Sequence, residues 1–253
     1  MIEPVTVIQY IRHCISSLSP AGRNSEFNTV LRDRFPYQGY HVVEEIRNRL
    51  IHDYTPVIRS LHGAGSHKKD AQTVAGINRI SSVTARYGRL LFRIAGYYKP
   101  DRIIEFGTAL GISTMYLATG YPSAELISIE GNPSLTAMAR INCQAAGLKN
   151  TTIMNRTFNE ALPVILPICT NQTLVFIDGN HTLEATLEFY GHFSKNAIGI
   201  PMMVFDDIHW SDGMYKAWRT IKSEWPELVV ELTRMGILLK CASGPKQILK
   251  FNY

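Results

Sequence analysis

Hydrophobic residues along this chain follow two rhythms, and the change between them falls near residue 100. Before it, apolar positions recur every three to four residues, the spacing of one helix face. Val42, Val43, Ile46, Leu50 and Ile51 do so in HVVEEIRNRLIHDY. Val74, Ile77 and Ile80 do so in QTVAGINRI, and Leu90, Leu91, Ile94 and Tyr97 in GRLLFRIAGYY, which stops before Lys99-Pro100. Turn-rich pieces at Ser19-Pro20-Ala21-Gly22, Phe35-Pro36 and Gly63-Ala64-Gly65-Ser66 separate these predicted helices. After residue 100, short apolar runs alternate with helix-length amphipathic segments. The predicted strands are Arg102–Phe106, Leu126–Glu130, Thr152–Met154, Leu174–Asp178, Met202–Asp206, Leu228–Leu232, and a C-terminal pair near Ile237–Cys241 and Gln247–Phe251. Strand–helix alternation predicts an α/β fold, with a mostly parallel sheet, right-handed crossovers and helices on both faces. Such sheets bind ligands beyond the C-terminal ends of their strands. The residues that end each strand are therefore the candidates for chemistry.

Composition adds limits. The chain has 253 residues, 45% of them hydrophobic and 19% charged, which excludes a disordered chain. Four cysteines (Cys14, Cys143, Cys169 and Cys241) form no CxxC and no zinc-type spacing with histidine. They point to a reducing, cytoplasmic setting. The start, Met1-Ile2-Glu3-Pro4, lacks the basic and apolar regions of a secretion signal. No apolar stretch is long enough for a membrane helix, and Val5–Ile15 is expected to pack on the protein's own core. The net charge of +5 divides into +7 over residues 1–100 and −2 over residues 101–253. The basic excess admits RNA as a partner, but its residues are scattered, and no Asn/Asp-Pro-Pro-Tyr motif follows the fourth strand. Nucleic acid is the lesser expectation.

The strand ends carry more information. The first runs through Glu105 into Gly107-Thr108-Ala109-Leu110-Gly111-Ile112-Ser113. Two glycines between strand and helix suit close approach of a ligand to the backbone. This is not the GxGxxG dinucleotide pattern, and Glu105 would repel a pyrophosphate. A net cationic cofactor such as S-adenosylmethionine (SAM) suits it better. Glu130 ends the second strand, 25 residues later, where a carboxylate can accept both ribose hydroxyls of an adenosyl group. Phe158, after the third strand, either covers an adenine face or packs in the core. Strands four and five end in Asp178-Gly179-Asn180-His181 and Asp206-Asp207-Ile208-His209-Trp210. Three aspartates at one mouth repel one another unless a cation or proton sits among them. A Mg²⁺-type ion would accept such oxygens. His181 is placed to act as general base. His209 and Trp210 are candidate substrate contacts, and Trp210 and Trp218 either wall an apolar pocket or belong to the core.

The motifs EFGTALGIS, SIEGNP, FIDGNH and FDDIHWSDGMYKAW, in this order, resemble class I SAM-dependent methyltransferases. The likeness is strongest to a bacterial O-methyltransferase-like branch and covers about residues 85–250. Gly63–Lys69 and Arg86–Leu91 also resemble that branch. The resemblance implies a Rossmann-like, seven-stranded sheet with an antiparallel last strand. It divides the chain into an N-terminal helical extension, 1–84, and a methyltransferase domain, 85–253. It implies SAM contacts at Glu105, Gly107, Gly111, Ser113 and Glu130, with Asp178 also facing the cofactor. Catechol-type members hold Mg²⁺ or another divalent cation with an Asp after strand four and an Asp-Asn pair after strand five. Asp178, Asp206 and Asp207 stand at those places, with Asp207 replacing the amide. His181 stands where those relatives carry a lysine base. The expected reaction is methyl transfer from SAM to a hydroxyl of a small molecule. The alternatives are an RNA methyltransferase and a non-catalytic SAM-binding module. A homodimer is the expected assembly on general grounds.

Overall fold

A computed structural model describes residues 30–31, 38–57, 73–196, 200, 202–240, 246–250 and 253. The Val5–Ile15 stretch, the Gly63–Lys69 segment, Cys14 and Cys241 lie outside the described residues.

The predicted helices of the first hundred residues form as α1 (His41–Ile51), α2 (Val74–Ser81) and α3 (Ala85–Tyr98). Thr73 and Thr84 cap α2 and α3 by accepting from the amides of Gly76 and Tyr87, which satisfies otherwise orphaned donors. Then follow β1 (Arg102–Phe106), α4 (Ile112–Gly120), β2 (Glu125–Glu130), α5 (Pro133–Ala145), β3 (Thr151–Asn155) and α6 (Phe158–Ile165). The second half comprises β4 (Thr173–Ile177), α7 (Leu183–Asn196), β5 (Met202–Phe205), α8 (Asp212–Glu224), β6 (Leu228–Glu231), β7 (Gly236–Leu239) and β8 (Gln247–Lys250).

Among the described residues these strands make one eight-stranded sheet in the order β3-β2-β1-β4-β5-β7-β6-β8. Every pairing is parallel except those of β7 with β5 and β6. Two expectations are corrected here. The sheet has eight strands instead of seven, because β8 adds to the free edge of β6. The antiparallel strand is the penultimate one, because the short turn after β6 reverses the chain directly into β7.

Alternation along the strands builds a core on each face. Ile103, Leu126, Leu174 and Val204 pack with α1–α4, and Ile104, Phe106, Ile127, Val175 and Phe205 pack with α6–α8. Glu105 shares the face of Ile103. It is thereby directed into the helix layer, where it is fully buried. Trp218 resolves as core. It is 1% exposed, lies under Gly236, and its indole N–H donates to Glu231 at 2.9 Å. The chain runs from β1 outward to β2 and β3, then returns to β4 on the other side of β1. The strand order therefore reverses between β1 and β4, and a crevice at their C-terminal ends is the place for a ligand.

Candidate functional site

One side of the crevice is built by β1 and β2. Gly107 has φ of 108°, and a Cβ there would lie 1.8 Å from the carbonyl oxygen of Asp178. Only glycine permits this approach, which lets the ends of β1 and β4 meet. Gly111, at φ of 82°, starts α4 from a left-handed conformation. Ser113 follows in the first turn and is buried. Glu130 ends β2 with both carboxylate oxygens engaged. Oε2 accepts from the amide of Ala109 at 2.9 Å and Oε1 from that of Asn132 at 2.8 Å. The two loops are thus tied to one side chain. Each oxygen keeps a second lone pair for a ligand hydroxyl. Burial raises the Glu130 pKa against these backbone donors. Glu105 is deeper. Its Oε2 accepts from Thr114 and from Ser128, while Oε1 is buried without a hydrogen-bond partner. Burial pushes its pKa up to about 7 against the nearby hydroxyls.

The other side is built by β4 and β5. The Asp178 amide donates to Phe106 O at 2.8 Å and the Asp206 amide to Ile177 O at 2.9 Å, so both residues continue the sheet ladder. Asn180 (φ 49°) and Asp207 (φ 53°) then turn the chain sharply. His181 Nε2 comes to 3.6 Å from Asp178 and 3.8 Å from Asp207. Ligand atoms of these three residues lie within 4.8 Å of one another. Burial raises the Asp178 pKa well above its usual range, and the charges of Asp206 and Asp207 add to the rise. Burial, with the Asp206 charge, pushes Asp207 up to about 6. Burial lowers the pKa of His181, which favours a neutral imidazole.

Asp206 behaves differently from its neighbours. It is completely buried and grips Arg234 with both oxygens, at 2.8 Å to Nε and 2.7 Å to the terminal nitrogen. Arg234 Nε also lies 3.1 Å from Asp207. The structure therefore brings Asp178, His181 and Asp207 together and closes Asp206 off behind a guanidinium.

Residues 104–208 match the family model described as a methyltransferase domain. That match covers less than half of the chain. A stretch of 79 residues is 37% identical to a catechol O-methyltransferase of Mycobacterium tuberculosis, covering 31% of this chain. The match spans about a third of that relative's length, 36%. An O-methyltransferase from Bacillus cereus in complex with SAH superposes with a TM-score of 0.58 at 15% identity, over 89% of this chain and all of that one. The O-methyltransferase TomG from Streptomyces achromogenes, in complex with SAM, does so with a TM-score of 0.52 at 20% identity, over 64% of this chain and 82% of its own. These likenesses show that the chain shares the Rossmann-like fold of those two O-methyltransferases.

The matched stretch contains Glu105, Gly107, Gly111, Ser113, Glu130, Phe158, Asp178, His181, Asp206 and Asp207. Phe158 stands at the start of α6 with its ring edge-on to Phe106 and Phe189. A Cβ on Gly179 would touch it at 2.8 Å, so the half-buried ring flanks the end of β4. His209 is exposed, and its Nδ1 is fixed 2.9 Å from Thr233 O. Trp210 is 55% exposed, on the same turn. Sequence reasoning missed Arg234, which lies beyond the methyltransferase-domain match, in the turn between β6 and β7. No local motif marks it. It also missed the role of Tyr87 of α3, whose phenol oxygen accepts the Arg234 backbone N–H at 3.0 Å.

Proposed function

We propose that this chain transfers a methyl group from SAM to a hydroxyl of a small-molecule acceptor. The observation that carries the reading is His181, a partly buried imidazole set between two carboxylates at the strand ends of the methyltransferase-like stretch. The chain's residues fit the cofactor. Glu130 offers free lone pairs to a ribose diol, and the glycine turn leaves the backbone bare beside it. The carboxylates of the β4–β5 side suit a ligand of net positive charge. When bound, SAM supplies an electrophilic methyl carbon, and its sulfur leaves with the bonding electron pair as a neutral thioether.

The remaining work falls to the protein. His181 Nε2 accepts the hydroxyl proton as the new oxygen–carbon bond forms. Asp178 and Asp207 stabilise the resulting imidazolium, as opposite charges at 3.6 and 3.8 Å do. Holding acceptor and methyl in line supplies much of the rate. His209 and Trp210, on an exposed turn beside Asp207, are proposed to contact the acceptor. The described helices before residue 85 pack on the α3–α4 layer and serve as its buttress. A small molecule fits this crevice better than a nucleic acid. No helix among the described residues is long and apolar enough to cross a membrane, and Cys143 and Cys169 are free thiols, in keeping with a cytoplasmic site.

The divalent-ion set implied by catechol-type enzymes fits poorly. Asp206 has both oxygens on Arg234, and Asp207 is in contact with the same guanidinium. No step is assigned to a metal. The test of the reading is calorimetric titration with SAH, followed by transfer of labelled methyl from SAM to a panel of hydroxylated acceptors. Stoichiometric SAH binding with label transfer to oxygen is expected. Failure to bind SAH would overturn the reading.

A further inference from the structure

We propose that Arg234 is the resident cation of this centre, holding the position between Asp206 and Asp207 that a divalent metal bound by Asp178, Asp206 and Asp207 would need, so that methyl transfer here is metal-independent. The inference rests on the methyltransferase reading above, and it concerns what neutralises the acidic side of the crevice.

The first support is contact geometry. A guanidinium presents a planar fork that matches a carboxylate with two parallel hydrogen bonds. Arg234 makes that fork with Asp206 at 2.8 and 2.7 Å. It adds a contact to Asp207 at 3.1 Å. Asp206 is 0% exposed, and the fork covers the edge on which both its oxygens accept. A metal bridging Asp206 and Asp207 on that edge could enter only by displacing the arginine.

The second support is how the arginine is anchored. Its carbonyl accepts from the amide of Ile208 at 3.0 Å, the residue next to Asp207. Its own amide donates to the Tyr87 phenol at 3.0 Å, and that phenol donates to Tyr253 O at 2.7 Å. The turn carrying Arg234 is therefore fastened both to the aspartate turn and to helix α3. A surface arginine that swings away when an ion arrives would not be held at its backbone in two directions.

The third support is charge. Asp178, Asp206 and Asp207 bring three carboxylates to one place, and Arg234 answers one of them permanently, since guanidinium does not deprotonate in proteins. A net cationic cofactor answers a second. The third attracts the imidazolium that forms when His181 takes the acceptor's proton, while the sulfonium charge is lost, so the step leaves the total charge of the pocket unchanged. A divalent ion added to three carboxylates, one guanidinium and one net cationic cofactor would make the pocket net positive throughout.

The test uses Mn²⁺ as the probe, read by electron paramagnetic resonance on the full chain with and without SAH. The wild type is expected to show no stoichiometric Mn²⁺ site below the millimolar range. Arg234→Met uncovers Asp206 and Asp207 and is expected to bind Mn²⁺ at least tenfold more tightly. Arg234→Lys, which keeps the charge, is expected to remain without the site. Stoichiometric micromolar Mn²⁺ binding by the wild type, lost in Asp178→Asn or His181→Gln, would overturn the proposal in favour of a site made of Asp178, His181 and Asp207. So would a folded Arg234→Met that gains no Mn²⁺ affinity. Should Arg234→Met not fold, the wild-type measurement decides alone. Loss of SAH binding, measured without metal, would count against the methyltransferase reading instead.

Discussion

The two sides of the crevice solve the same problem, carboxylates at strand ends, by opposite means. On the β1–β2 side, Glu130 and Glu105 are held by uncharged donors: backbone amides for one, hydroxyls for the other. On the β4–β5 side, Asp178, Asp206 and Asp207 stand together, with a guanidinium on Asp206 and Asp207 and a neutral imidazole beside Asp178 and Asp207. Uncharged donors fix an acceptor's position without changing its charge, which suits recognition of a neutral diol. A cluster with residual negative charge attracts positive charge, which suits receiving a proton. The difference separates a side that recognises from a side that reacts.

The largest expected effect breaks the reactive side alone. His181→Gln removes the proton acceptor and should lower kcat roughly 10²–10⁴-fold, the usual worth of a general base. The SAH dissociation constant should stay within about threefold, and a matching loss of SAH affinity would show that His181 belongs to the recognising side. Next, Asp206→Ala removes the forked partner of Arg234 and leaves it the contact to Asp207. Breaking one partner of such a buried pair costs about 3–5 kcal/mol, to be read from urea unfolding of the variant. A cost below about 1 kcal/mol would show that the pair is solvated. Glu130→Ala tests the recognising side. Hydrogen bonds to a charged group are worth about 1.5–3 kcal/mol, so SAH affinity should fall roughly 10- to 100-fold. Unchanged affinity would remove Glu130 from the ribose role.

The smallest effect concerns Glu105. Its pKa in the folded protein, about 7, lies above the ordinary value of 4.5. The unfolded chain therefore releases this proton first as pH rises. The stability gained by keeping Glu105 protonated is complete below about pH 4.5 and is lost as pH climbs through 7. Glu105→Gln mimics the protonated form at every pH. Its Tm relative to wild type should be higher at pH 8 than at pH 5 by several degrees. A pH-independent difference would place the charge elsewhere.

The sheet was legible because its strands are near-continuous apolar runs, as strands buried on both faces must be. β1 spans Arg102–Phe106, as its pattern predicts, and the helices at Val74 and Ala85 start at threonine caps. The strand-end carboxylates were legible for the same reason, since each interrupts an apolar run. What the sequence hid was direction. Asp206 and Asp207 are adjacent and chemically identical. One continues the ladder of β5 into the interior, while the other turns outward through a positive φ. Arg234 was hidden by distance, lying 28 residues from its partner Asp206 in a hairpin turn of no particular composition. Phe158 and Trp218 each carry a ring that can line a pocket or fill a core, and only packing distinguishes them.

Three of the described non-glycine residues with positive φ are Ala109, Asn180 and Asp207, one each after β1, β4 and β5. A left-handed conformation costs a side-chain-bearing residue on the order of 1 kcal/mol. The crevice is thus ringed by backbone that the rest of the sheet holds under tension. Glycine at Ala109 would relax that tension and favour folding. It would also free the very amide that fixes Glu130. Ease of folding and rigidity of the rim therefore pull this position in opposite directions.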